Sequence, residues 1–70
     1  MTPRELDHCA GCLRSAERSC AELADRIKQE YGEAAELTYS VFVLLAAVRG
    51  LRVAAAVEAE RSRLRERRAA

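Results

Sequence analysis

The sequence predicts an all-α fold, a two-helix antiparallel hairpin dimerising into a four-helix bundle. Three observations carry that reading. Strong helix formers dominate the 70 residues, which include a single Pro and three Gly. Two long segments with helical apolar spacing flank Gly32, a residue type that ends helices. The second segment is apolar on two stripes, more than one neighbouring helix covers, and monomers seldom leave such a patch in water. A domain this small rarely draws more than about 3–5 kcal/mol from its own core. That shortfall also points to a staple, a metal or a second chain.

The first helix, about residues 3–31, has a well-marked start. Thr2 is placed as N-cap, Pro3 sits at N1, and Glu5 at N3 completes a capping box. Met1 and Leu6 are spaced as a hydrophobic staple. The opening "MTPRELD" is acidic and has no apolar run, so no secretory leader is expected. Leu6, Cys9, Leu13, Ala16, Cys20, Leu23, Ile27 and Tyr31 then follow in alternating steps of three and four, one narrow stripe of heptad type.

The second helix is expected from about residue 34 to 68, with Glu33 and Glu36 set against the positive end of its dipole. One uninterrupted helix through Gly32 is the alternative, at a cost of about 1 kcal/mol for the glycine. Leu37, Val41, Leu44, Val48, Leu51 and Ala55 form one seam. Tyr39, Val43, Ala46, Gly50, Val53, Val57 and Leu64 form another, with Phe42 beside it. Val41, Phe42, Leu44, Leu45, Val48, Leu51 and Val53 are the predicted dimer interface. A monomer whose second stripe awaits a different partner is the competing reading. If the turn centres on residue 33, Ala16 lies near Gly50, and small residues there allow close approach of the axes.

Charge is unevenly distributed. Residues 1–60 hold seven Lys/Arg and ten Asp/Glu, a net −3, while residues 61–70 hold five Arg and one Glu, a net +4. The basic C-terminal tail, 61–70, offers Arg61, Arg63, Arg65, Arg67 and Arg68 as partner-binding residues. An acidic protein surface is the expected target. Nucleic acid is the alternative, since arginines neutralise phosphates, but no aromatic side chains interleave with them for base stacking. A further reading is local, because cations at a helix C-terminus complement its dipole and these stand level with Glu5 and Asp7.

"HCAGCLRSAERSC" gathers all three cysteines and the only histidine. Cys9 and Cys20 are about 16 Å apart along one helix and cannot share an ion. His8 and Cys12 are i,i+4 neighbours and are the only metal-ligating candidates, needing a second copy to complete a set of four. The order is wrong for haem attachment, and "CAGC" lacks the strand of a thioredoxin-like motif. The seam reading is favoured: Cys9 and Cys20 act as small hydrophobes, Cys12 is the most reactive, and no metal or cofactor is expected. An odd cysteine count fits a reducing cytoplasm. No catalytic set or phosphate loop is present, so an enzyme is not expected. "VFVLLAAVRGLRVAAAV" carries Arg49 and Arg52 near its middle, and its uncharged run from Leu37 to Val48 falls short of the roughly 20 residues of a span. It reads as a buried helix of a soluble protein.

The segments "TPRELDHCAGCLRSAERSCAELADRIKQEYG" and "AELTYSVFVLLAAVRGLRVAAAVEAERSRLRERR" together resemble the small early proteins of temperate phages of high-GC bacteria. In particular they resemble the phage quorum-sensing anti-activator type. The resemblance spans the whole chain, is architectural, and carries over no functional residue. It implies a dimeric helical hairpin in the host cytoplasm that binds a host transcription regulator and acts by covering its surface.

Overall fold

The computed structural model describes residues 1–69 and contains two helices, α1 (Pro3–Tyr31) and α2 (Glu36–Ala69), folded into an antiparallel hairpin. Its dimensions are 55 × 15 × 13 Å. The residue at position 70, last of the basic tail, lies outside the described residues.

Both ends of α1 follow from local chemistry. The Thr2 hydroxyl accepts from the Glu5 amide at 3.2 Å, and the Glu5 carboxylate accepts from the Thr2 amide at 3.2 Å. This is the reciprocal capping box, with Pro at the first turn. At the other end the Gly32 amide donates to the Lys28 carbonyl at 2.8 Å, and Gly32 takes φ 88° and ψ 165°. That region is essentially closed to residues with a Cβ, so the chain turns at a glycine.

The turn is longer than the sequence suggests, and α2 begins at Glu36 rather than near residue 34. Thr38 explains the offset. Its hydroxyl, buried at 3% exposure, donates to the Gly32 carbonyl at 2.8 Å. Closing that bond sets the first turn of α2 against the end of α1.

The seam between the helices is regular, and it is rotated from the one the sequence predicts. On α1, Leu6, Ala10, Leu13, Glu17, Cys20, Ala24 and Ile27 are buried or half-buried, while Ala16, Leu23 and Tyr31 are exposed. On α2 the inward positions are Thr38, Val41, Leu45, Val48, Arg52, Ala55, Ala59 and Ser62, while Leu37, Leu44 and Leu51 face outward. Each helix keeps half of its expected stripe and exchanges the other half for the column one residue further on. Two causes act together. Ala10, Ala24 and Ala59 are almost fully covered and let the backbones approach. The rotation also brings Glu17 within reach of Arg49 and Arg52.

Gly50 does not do what the sequence suggested. A methyl group added there would meet nothing within 4 Å, because Gly50 lies on the outer side of α2. Glu17 meets Arg49 and Arg52, so residue i of α1 stands level with about residue 68 − i of α2. Ala10 and Ala59 are the small residues that share a level.

Candidate functional site

α2 presents far more apolar surface than α1 covers. Val41 and Leu45, two of the seven expected interface residues, are buried against α1 of their own chain, and Val48 is half-buried. These belong to the hairpin seam. The other four divide among three sides of the helix. Leu44 and Leu51 lie on one flank with Leu37, at 51%, 58% and 50% exposure. Phe42 lies on the opposite flank, in a shallow groove with Lys28, Glu33, Thr38 and Tyr39. Val53 belongs to the outer side, with Val43 and Val57, all close to half exposed.

The two broad faces of the hairpin differ in chemistry. One is apolar. There Leu51, Ala54 and Ala55 line an open groove with Leu6, Cys9 and Leu13 of α1. Heptad spacing extends the same face to Leu37 and Leu44 on α2 and to Ala16 and Leu23 on α1.

The other face is charged. Arg14, Glu17, Arg18 and Ala21 stand opposite Arg49 and Arg52. Arg49 Nε donates to Glu17 Oε1 at 2.9 Å and Arg52 Nε to Glu17 Oε2 at 2.5 Å. The Glu17 side chain is only 19% exposed. Hydrogen bonds from Arg52 first, and then Arg49, hold its carboxyl below the ordinary glutamate value. Sequence reasoning passed over Glu17. The signal was available, since two arginines three residues apart inside an apolar run require a carboxylate from elsewhere.

The tail is helical to Ala69 and mostly engaged. Arg63 pairs with Asp7 of α1 and lies 3.3 Å from Glu60. Arg65 reaches Glu58 at 2.9 Å and Ser62 at 3.0 Å, and Arg61 stands 4.0 Å from Glu58. Among the described residues, Arg67 and Arg68 have no carboxylate partner. The local reading, in which the tail answers carboxylates of its own chain, therefore fits Arg61, Arg63 and Arg65 and leaves out the last two.

The sulfur positions divide as the helix geometry dictates. Cys9 and Cys20 are half-buried thiols and Cys12 is an exposed one. Cys12 Sγ lies 3.7 Å from His8 Nε2, with both side chains on the surface. No three His, Cys, Asp or Glu side chains among the described residues are grouped to hold an ion.

α2 is long and apolar enough to cross a membrane by length and composition, with an 18-residue stretch of mean hydropathy 1.9. Arg49 and Arg52 interrupt that helix, and both are tied to α1 through Glu17.

No family model, curated protein or solved structure matches the chain.

Proposed function

We propose that this chain is a non-catalytic protein-interaction module, a soluble cytoplasmic homodimer that acts by covering the surface of a partner protein. The observation that carries the reading is the uncovered apolar surface of α2, spread over its flank (Leu37, Leu44, Leu51) and its outer side (Val43, Val53, Val57). One such surface suits a second copy and leaves the other for a different protein. A mode of action by occlusion needs complementary surface and no reactive group. The phage anti-activator resemblance supplies the kind of target, a host transcription regulator.

The ion pairs favour a protein target over nucleic acid. Arg61, Arg63 and Arg65 already stand beside carboxylates of their own chain. Arg67 and Arg68, which have no carboxylate partner among the described residues, suffice to steer an encounter with an acidic protein surface but make a weak grip on a phosphate backbone. The Glu17 cluster favours a soluble hairpin over a membrane span. Inserting α2 would either strip Arg49 and Arg52 of their carboxylate or draw the charged helix α1 into lipid.

The test compares the native chain with Val53→Asp/Val57→Asp, altered on the outer side only. Both are sized by sedimentation equilibrium and used as bait in a lysate, with anionic vesicles and duplex DNA as parallel ligands. The expected result is a dimer for both, with one protein retained by the native bait and lost by the variant. Retention on vesicles or salt-sensitive retention on DNA alone would overturn the reading.

A further inference from the structure

The structure exposes 5358 Å². A globular monomer of this mass exposes about 4,400 Å², so the hairpin carries an excess of about 1,000 Å². A stable two-protein interface needs about 800 Å² from each partner. The excess is therefore large enough for one symmetric contact, and the apolar broad face is where it can be buried with least loss of hydration. On the opposite face, the same contact would cover the Glu17–Arg49–Arg52 cluster and desolvate three charges.

We propose that the second copy packs on the face bearing Leu37, Leu44, Leu51 and Leu23, with its turn at the opposite end. This rests on the dimer reading above and adds to it the face and the direction. A two-fold axis lying in that face can run along the hairpin or across it. Running along, it sets α1 on α2 of the second copy with both turns at one end. Running across, it sets α1 on α1 and α2 on α2, each pair antiparallel.

The apolar positions allow the crosswise axis. The midpoint between Leu44 and Leu51 on α2 and the midpoint between Ala16 and Leu23 on α1 stand at the same level within about one residue. One axis therefore serves both helix pairs. Leu44 meets Leu51 of the other copy, and Ala16 meets Leu23, a small residue against a large one.

The charges choose between the two directions. The turn end is acidic. Glu30, Glu33 and Glu36 lie there with only Lys28, which is paired with Glu33 at 3.0 Å. The far end, residues 1–8 and 58–69, holds six arginines against five acids, and among the described residues Arg4, Arg67 and Arg68 there have no carboxylate partner. Turns at one end would bring acidic against acidic and basic against basic. Opposed turns bring each basic end beside an acidic one. With the axis between Leu44 and Leu51, Arg61 of one copy stands level with the turn of the other, within about one helical turn of Glu36.

Two measurements test the direction. In a chain with Cys9, Cys12 and Cys20 replaced by Ala, a nitroxide at Ala34→Cys reports the separation of the two turns by pulsed dipolar spectroscopy. Sedimentation equilibrium on the same sample reports the mass. Opposed turns place the labels about 40 Å apart, from the 1.5 Å rise per residue. A dimer with labels closer than about 25 Å overturns the direction and leaves dimerisation standing. A single-chain mass overturns both. The second measurement keeps the native cysteines. Glu36→Lys and Arg61→Glu are each expected to raise the dimer Kd about threefold at low salt, and the two together to restore it within about twofold. Weakening that adds up, with no restoration, overturns the proposed contact.

Discussion

α1 and α2 share one seam with the same heptad rhythm, yet they differ in what surrounds it. Away from its seam α1 is mostly charged or small, with Arg14, Arg18, Glu22, Asp25 and Arg26 in water and Leu23 the main apolar exception. Away from its seam α2 remains apolar on two further sides. A helix that served only the hairpin would look like α1. The surplus on α2 contributes nothing to the fold of a single chain, and in the proposed reading it is the surface that meets other molecules. The contrast also separates two kinds of substitution on the same helix, those that unfold the hairpin and those that disconnect it.

The largest effect is expected at Leu45. It is 3% exposed, and Leu45→Asp would bury an unpaired carboxylate, which costs several kcal/mol. Loss of the helical circular dichroism signal at 25 °C checks this. On the flank, only two turns of helix away, Leu51→Asp is expected to leave helix formation possible and remove the dimer. Its melting temperature should become lower and independent of protein concentration, because the mass-action contribution of the second copy is gone. If Leu45→Asp and Leu51→Asp behave alike, the division of α2 into a seam and a surface is wrong.

Next in size is the turn. Gly32→Ala forces a Cβ into a backbone region nearly reserved for glycine and is expected to cost about 1–3 kcal/mol in urea denaturation. Thr38→Val keeps the shape but removes the hydroxyl that donates to the Gly32 carbonyl, at about 1 kcal/mol. Gly11→Ala and Gly50→Ala, both at negative φ with open space around them, are expected to stabilise slightly through helix propensity. These three glycines thus separate a turn requirement from mere composition.

Much of this arrangement was legible in the residues, and the limits have physical causes. The capping box at Thr2 and Glu5 and the stop at Gly32 are local hydrogen-bond and dihedral chemistry, which a short window contains. The exact face of each helix is not local. Columns 6, 13, 20 and 27 of α1 can pair with 9, 16 and 23 or with 10, 17 and 24, and both alternatives have heptad spacing. Leucine at 23 favours the first by hydrophobicity. The second is realised because Ala10 and Ala24 allow approach and Glu17 answers two arginines on the other helix. A long-range ion pair between residues 17, 49 and 52 has no signature in α1 alone. For the interface, Val41 and Leu45 were legible as apolar, but which of two apolar sides met α1 depended on the same rotation.

The Glu17 cluster provides a test by pH. Its carboxyl is held below the ordinary value when folded, so the unfolded chain binds the proton more readily. The stabilisation is fully present above the unfolded glutamate value of about 4.3 and is lost as pH falls through the lower folded value. Glu5 has the same sign, its carboxyl being lowered by the backbone and side-chain hydrogen bonds of Thr2. Glu17→Gln is expected to reduce the acid dependence of the melting temperature below about pH 4.3 and to leave Glu5's share in place. An unchanged acid limb would show that the two arginines do not hold Glu17 in solution.

The smallest effect on stability is expected from the tail, and there the comparison between α1 and α2 reaches its end. Ending the chain after Arg63 keeps the pair with Asp7 and removes Leu64, Arg65, Arg67 and Arg68, all exposed. Charges so placed contribute little, and the loss should stay below about 1 kcal/mol. If Arg67 and Arg68 serve as a handle, the shortened protein should lose association rate with its protein target while its dissociation rate stays nearly unchanged, because charges at a rim act through steering. Raising salt should slow the native chain towards the shortened one and leave the shortened one almost unaffected. If the arginines only complement the end of α2, stability should fall by the small amount above and the association rate should not move. Stopped-flow binding at two salt concentrations separates these cases. Equal rates for the two chains at low salt would remove the tail from the binding surface and leave Val43, Val53 and Val57 as its whole extent.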